Sequence, residues 1–73
     1  MTTEDAIEWI RCVANGTLTG QRLIVHVSCA LVSAKIQWAV SVVRASNTGA
    51  ALGSGSGETL GDAVLACEKD MVS

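Results

Sequence analysis

Residues 21–45, QRLIVHVSCALVSAKIQWAVSVVRA, form the longest apolar-rich stretch of the chain and contain no proline and no glycine. Apolar residues alternate with smaller or more polar ones through both halves of the stretch. The alternating apolar sets are Leu23, Val25, Val27 and Cys29 in the first half, and Ile36, Trp38, Val40 and Val42 in the second. Because side chains alternate between the faces of a strand, and Val and Ile suit a pleated surface, this pattern indicates β structure. We therefore predict two strands, roughly residues 22–31 and 36–46, joined by a turn near residues 32–35.

Two alternatives to the strands remain, because the turn sequence Val-Ser-Ala-Lys lacks the Asn-Gly or Asp-Gly of a tight hairpin. A single long helix would have apolar residues all round and would have to be buried on every side. A membrane span needs about 20 apolar residues. It would place His26, Lys35 and Gln37 inside the bilayer, at a cost of about 3 kcal/mol for the lysine alone. We favour the two strands over both alternatives.

Helical patterns lie on both sides of this central stretch. Thr2 or Thr3 can cap a first helix, which Asn15 and Gly16 would end. Thr59 can cap a last helix. The residues of that helix that repeat on one helical stripe are Leu60, Ala63, Val64, Cys67 and Met71. The sequence thus predicts one helix before the strands and one after them.

The glycine-rich run at residues 50–57, AALGSGSG, has two interpretations. It is either a flexible loop or an edge strand that returns from a turn at residues 46–49 and pairs with residues 38–46. The predicted fold is a small α+β domain of order α-β-β-(β)-α, with an antiparallel sheet and two helices on one of its faces. We expect residues 1–73 to form a single domain.

The alternation also assigns side chains to the two faces of the predicted sheet. The face under the helices would carry Leu23, Val25, Val27, Ile36, Trp38, Val40 and Val42. The opposite face would carry Ile24, His26, Ser28, Ala39, Ser41 and Val43. This second face is small-featured and partly apolar, so it is a natural place for a partner or a second subunit.

The composition bears on how the chain assembles. Of its 73 residues, 49% are hydrophobic, yet it has no Phe or Tyr and two Trp. A chain this short buries only about 60% of its unfolded surface, so its core is marginal when it folds alone. Self-association would bury more apolar surface. We therefore predict a homodimer or a higher homo-oligomer.

Charge and cysteine content exclude several classes of partner and location. The net charge is −2 and no basic stripe is present, so we expect no nucleic-acid binding. The chain begins with an acidic segment rather than a basic signal-peptide region, and its three cysteines are widely spaced and odd in number. These features predict free thiols in a reducing compartment, the cytoplasm, and no membrane association.

Residue patterns for catalysis or metal binding are weak in this sequence. His26 is the only histidine, and its odd offset from Cys29 puts the two residues on opposite faces of a strand. The sequence has no C-x-x-C pair and no paired acids at a catalytic spacing on one element. We therefore expect no enzymatic activity, no catalytic residues, no metal and no cofactor.

The glycine-rich run before the last helix suggests one ligand-binding alternative. Free N–H groups at a helix start attract anions, and Gly55, Ser56, Gly57 and Thr59 would surround such a site. The run lacks the lysine of a Walker loop and the G-x-G-x-x-G spacing, and the following segment is acidic. The alternative function is a homo-oligomeric sponge for a small ligand such as a nucleotide.

The second half of the chain resembles the ending of many small phage and prophage proteins, and also that of HicB-like antitoxin domains. The shared pattern is a hairpin followed by G-x-T-L-x-x-A-x-x-x-A, although this chain has a cysteine at the last position. The matching residues are Trp38, Val40, Val42, Gly49, Gly57, Thr59, Leu60, Ala63 and Cys67. The element order is also similar to that of double-stranded RNA-binding domains. Glu58 and Asp62 replace the basic residues that such domains place at the second helix.

The resemblance implies a phage-type factor that binds a host protein in the host cytoplasm and inhibits or redirects it, as anti-defence or polymerase-binding proteins do. We predict a small non-enzymatic interaction protein that acts by steric occupation. Its expected contacts are Glu4, Glu8 and Trp9 on the first helix and His26 on the sheet. The nucleotide sponge and an antitoxin-like module are the alternatives.

Overall fold

The computed structural model describes residues 1–17 and 20–72, and the side chains of all of these except 47, 48, 50 and 72. The order of elements is α1 (Thr3–Asn15), β1 (Leu23–Val32), β2 (Lys35–Arg44), β3 (Asn47–Gly57) and α2 (Leu60–Val72). The strands form one antiparallel sheet in the order β1-β2-β3. The predicted α+β fold is confirmed. The single-helix and membrane-span alternatives for residues 21–45 are wrong, because this stretch forms two paired strands.

Both helices begin at the threonine caps that the sequence indicates. The backbone N–H of Asp5 donates to Thr2 Oγ1 at 3.1 Å, and that of Asp62 donates to Thr59 Oγ1 at 3.1 Å. Gly16 ends α1 in the left-handed conformation, with φ of 86°. Neither helix in the described part of the chain combines the length and apolar content needed to cross a membrane.

The turn between β1 and β2 consists of two residues with positive φ, Ser33 at 51° and Ala34 at 63°. Val32 pairs with Lys35 across this turn, so the hairpin has the two-residue, type I′ geometry that matches the twist of its strands. The left-handed conformation costs an ordinary L-residue about 1–2 kcal/mol. This hairpin therefore forms although its turn residues are unfavourable for the turn.

Replacing the turn by Ser33→Asn and Ala34→Gly is expected to stabilise the protein. Asn and Gly tolerate the left-handed conformation, so the free energy of unfolding should rise by about 1–2 kcal/mol. Urea denaturation at one fixed protein concentration would measure the change. The matched control is Ala45→Asn with Ser46→Gly in the next turn, where the described backbone has no positive φ. An equal gain in both turns would contradict the assigned geometry.

The glycine-rich run forms β3, so the loop interpretation of residues 50–57 is wrong and the edge-strand interpretation is confirmed. Arg44 pairs with Asn47, which places the turn at residues 45–46 rather than at 46–49. The pairing is irregular around Val42 to Arg44 and becomes regular from Gly53 onward. The edge strand therefore begins earlier than predicted, directly after a two-residue turn.

Three alternate glycines of β3 face α2. Gly53, Gly55 and Gly57 pair with the helix-facing residues of β2, which are Val42, Val40 and Trp38. A Cβ atom built on Gly55 would lie 2.3 Å from the backbone nitrogen of Cys67 and 2.6 Å from the carbonyl oxygen of Ala63. The backbone of α2 thus occupies the space of a side chain, and glycine is what lets the helix approach the strand this closely.

The core lies between the two helices and one half of the sheet. Its buried residues are Ala6, Val13, Leu23, Val40, Val42, Ala63, Val64 and Cys67. Partly buried residues that pack against it are Trp9, Ile10, Val25, Trp38, Leu60 and Met71. The predicted helix-facing set is therefore only partly right. Ile36 is exposed because the helices do not extend over the end of the β1–β2 hairpin. Val27 is exposed although its partner Val40 is buried, so the helices also leave the outer side of β1 uncovered at this level.

Candidate interaction surface

Residues 27–36, which comprise the second half of β1, the turn and the start of β2, are all exposed, and we call this segment the arm. Its large apolar side chains are exposed, with relative accessibilities of 43% for Val27, 73% for Leu31, 51% for Val32 and 54% for Ile36. In contrast, Leu23 at the other end of β1 is buried in the core. An apolar segment of this kind is typical of a surface that contacts another molecule.

Most of the exposed apolar side chains of the arm lie on the same face of the sheet as the helices. The register pairs Val27 with Val40, Cys29 with Trp38 and Leu31 with Ile36, and paired residues share a face. Val40 is buried and Trp38 is half-buried, whereas their β1 partners Val27 and Cys29 are exposed. Both members of the pair nearest the turn, Leu31 and Ile36, are exposed. The arm therefore continues the core surface of the sheet into a region that no helix covers.

The lengths of the elements explain why the arm is bare. Each helix has 13 residues and each strand of the hairpin has 10. At 1.5 Å per residue a helix of this length spans about 20 Å, whereas such a strand spans about 33 Å. Helices of this length leave part of each strand uncovered. This comparison was available from the predicted element lengths, and it is the signal that sequence reasoning missed.

The outer edge of β1 is open to hydrogen bonding. In a two-residue hairpin the pair next to the turn, here Val32 and Lys35, exchanges both backbone hydrogen bonds. Hydrogen-bonded and non-hydrogen-bonded pairs then alternate along the two strands. The backbone groups of the alternate residues, Val25, Val27, Cys29 and Leu31, therefore point away from β2. The strand has an unbroken register and contains no proline, charged side chain or bulge, which are the usual protections of an edge strand.

The outer edge of β3 differs from that of β1. The backbone N–H of Ser54 donates to Asp70 Oδ2 of α2 at 3.0 Å. A side chain of the same molecule thus occupies one of the outward-pointing groups of β3, and the close approach of α2 at Gly55 brings the helix to this edge. The edge of β3 is therefore partly occupied, whereas residues 1–17 and 20–72 make no comparable hydrogen bond to the outer edge of β1.

The predicted partner-binding residues do not form one surface. Glu4 and Glu8 are exposed on α1, where Glu8 forms an ion pair with Arg11 at 3.4 Å, a contact that contributes little to stability in water. Trp9 is half-buried and packs against the core. His26 is exposed on the opposite face of the sheet, paired with Ser41. Their role in binding stays a prediction, and the two acidic residues and the histidine would need separate contacts.

The open face of the sheet forms a shallow, small-featured surface. A depression of about 410 Å³ is lined mainly by His26, Ser28, Ala39, Ser41, Ser54 and Ser56. The surface has the small polar character expected from the sequence. Val43 is an exception, because it is buried although it lies on this face.

The predicted ligand-binding residues are also separated in the fold. Gly55 and Gly57 face α2, where side chains of any size would meet the helix. Ser56 lies on the open face, and Thr59 Oγ1 accepts the capping hydrogen bond of α2. These four residues therefore do not converge on a cradle at the helix start. The glycines are explained by helix packing, with no need for a ligand.

The cysteines occupy three different environments. Cys67 is buried, Cys12 is half-buried and Cys29 is exposed, although Cys29 lies on the helix-facing side of β1. Burial, followed by the charge of Asp70, raises the pKa of Cys67. Desolvation, followed by the hydrogen bond from Cys12 Sγ to Glu8 Oε1, raises the pKa of Cys12. Both thiols are thereby kept in the protonated, less nucleophilic form.

Within residues 1–17 and 20–72, no three His, Cys, Asp or Glu side chains are grouped closely enough to hold a metal ion. The arm and the open edge of β1 are thus the features of the described chain that most clearly favour binding.

Comparison of the chain with protein-family models, curated proteins and solved structures finds no match.

Proposed function

We propose that this chain is a small non-enzymatic interaction protein, which acts by binding other protein chains. The observation that carries the proposal is the arm, where four large apolar side chains are exposed at one end of a hairpin. Burying one such side chain fully against a partner gains about 1.5–3 kcal/mol. Several of them on one short segment supply enough apolar surface for a specific contact.

The adjoining edge of β1 adds a second source of binding free energy. A strand of another chain can pair with the outward backbone groups of Val25, Val27, Cys29 and Leu31, while its side chains meet the apolar residues of the arm. Backbone hydrogen bonds then provide affinity, and side-chain packing provides selectivity. The proposed contact therefore combines strand addition with burial of the arm.

The proposal extends to a host protein as the target. The resemblance of residues 38–71 to the endings of small phage proteins supports a phage-type factor that inhibits or redirects a host protein in the host cytoplasm. Glu4 and Glu8, exposed on α1, are available for a basic target surface.

Glu4→Lys with Glu8→Lys is expected to weaken that contact and to leave the fold intact. The antitoxin-like alternative would use the same surfaces.

The test of the proposal is photo-crosslinking from the arm. A photoreactive amino acid at Leu31 should crosslink to a protein chain in cells at least tenfold more efficiently than the same group at Leu65, which is 37% exposed on α2. Mass spectrometry would identify the crosslinked chain and so distinguish a host protein from a second copy of the protein itself. Equal crosslinking from both positions would show that the arm is no binding surface.

A further inference from the structure

We infer that the chain that pairs with β1 is a second copy of this protein, so that two sheets join into one sheet of six strands. The two β1 strands run antiparallel about a two-fold axis. This inference rests on the proposed function, because it names the chain that the arm and the edge of β1 bind. It leaves α1 and the open face of the sheet available for a different partner.

The contrast between the two edges of the sheet selects β1. At β3, Asp70 already accepts from the outward N–H of Ser54. At β1, ten consecutive residues pair with β2 without interruption, and none of them carries a formal charge when His26 is neutral. Two such strands can approach each other without placing like charges in contact. This property is required of a strand that pairs with its own copy.

The helices cover β1 unevenly, and this favours pairing with a second copy over pairing with a strand of a different protein. The start of β1 is covered by the helices, whereas its end belongs to the bare arm. An antiparallel pairing about a two-fold axis places the bare end of each strand beside the covered start of the other. Each copy therefore supplies helices at the place where its partner lacks them.

The register of the pairing follows from the outward-pointing residues. An axis at Ser28 pairs Val25 with Leu31 of the second copy, and Val27 with Cys29, so that all four outward residues of each strand form bonded pairs. Because paired residues share a face, the helices of both copies lie on the same side of the joined sheet. Leu31 then lies beside the strand segment that packs under α1 of the second copy.

The helix α1 also offers an apolar contact for the arm. Ile7 is 47% exposed on α1 although it is a large apolar residue. In the paired arrangement, the α1 helix of the second copy is the element nearest to the arm. Exposed apolar surface on both sides of the pairing is the pattern of an isologous interface, in which the same patch of each copy contacts its counterpart.

Native mass spectrometry and light scattering on the purified full chain test the inference. The expected species at micromolar concentration has twice the mass of the chain. Cys29→Pro removes an outward N–H without removing a bond to β2, and it should weaken the dimer at least tenfold. Ser56→Pro makes the same change at the outward position of β3 and should leave the dimer intact. Circular dichroism would check that both variants fold.

Crosslinking provides a measurement that does not depend on a proline variant. In the S28C/C29S variant the new cysteines face each other across the axis, in a non-hydrogen-bonded pair whose Cα atoms are about 4.5 Å apart. This distance permits a disulfide, so mild oxidation should give a covalent dimer. The matched S56C/C29S variant should stay uncrosslinked.

The outcomes separate this inference from the proposed function. A monomeric wild-type protein would overturn the inference, and a crosslink from Leu31 to a host protein would still support the proposed function. A dimer that survives Cys29→Pro, or that fails to crosslink through S28C/C29S, would overturn the β1 pairing about Ser28. Absence of crosslinks from Leu31 to any chain would overturn both.

Discussion

Replacing Gly55 with alanine is expected to lower the free energy of unfolding by about 3 kcal/mol, a large fraction of the stability of a small domain. The new methyl group would lie 2.3 Å from the backbone nitrogen of Cys67 and 2.6 Å from the carbonyl oxygen of Ala63. Both of these atoms belong to the helix backbone, so no side-chain rotation can relieve the clash. The helix α2 would have to move away from β3 and open the core.

Two further substitutions on β3 calibrate this effect. Gly53→Ala should cost less, because the closest atom to its new methyl group is Cγ of Met71, part of a flexible side chain. Ser56→Ala lies on the open face and should change the stability by less than about 0.5 kcal/mol. Urea denaturation followed by the fluorescence of Trp9 and Trp38 would measure the series. Equal stability of the Gly55→Ala and Ser56→Ala variants would contradict the packing of α2 on the strand.

The same prediction affects how a ligand-binding role of β3 can be tested. Loss of binding after Gly55→Ala or Gly57→Ala would follow from the displaced helix, whatever the true location of a ligand. Ser56 is the residue of this set whose side chain lies on the open face, so its substitution separates binding from folding. A ligand test on this protein should therefore use Ser56 rather than the glycines.

The strands and helix caps could be predicted because local residue patterns determine them. Alternation of apolar residues identified β1 and β2, and threonine at the start of each helix identified the caps that the structure contains. The glycines at 53, 55 and 57 also follow the period of a strand, which is why the edge-strand interpretation was available. The pattern does not explain why these positions are glycine, because the reason is the close packing of α2 against the strand.

The turn at Ser33 and Ala34 shows a limit of local signals. Neither residue favours a positive φ, yet the register of two long apolar strands brings the chain to this point and requires a tight reversal. Pairing along ten residues outweighs the cost of two strained residues. Turn chemistry alone would have argued against the hairpin, and the strand pattern argued correctly for it.

The candidate site was harder to predict than the fold, because it depends on where the helices end over the sheet. Alternation placed Val27 and Ile36 on the correct face, but a position on the helix-facing side does not ensure burial. Alternation also placed His26 on the face opposite the helices, but the sequence could not show that Trp9 packs against the core. Burial at these positions depends on which part of the sheet the helices cover. The sequence indicates only the lengths of the helices and strands, not where the helices lie over the sheet.

Replacing Val64 with alanine is expected to lower the free energy of unfolding by about 2 kcal/mol. Val64 is fully buried in α2, within a core whose buried members are valine, alanine, leucine and cysteine. The buried members of this core are small, and Trp9 and Trp38 only pack against it while partly exposed, so little can shift to fill the space left by two methyl groups. The cavity would therefore persist, and its cost would add to the loss of apolar burial.

The neighbouring residue provides the matched control for this prediction. Leu65→Ala removes more atoms than Val64→Ala, but Leu65 is 37% exposed, and alanine has the higher helix propensity. We expect its effect to stay within about 0.5 kcal/mol when both variants are unfolded by urea at the same protein concentration. A larger loss from Leu65→Ala than from Val64→Ala would mean that the outer side of α2 is covered in solution. Because the proposed β1 pairing does not cover that side of α2, such a result would require another interface between copies.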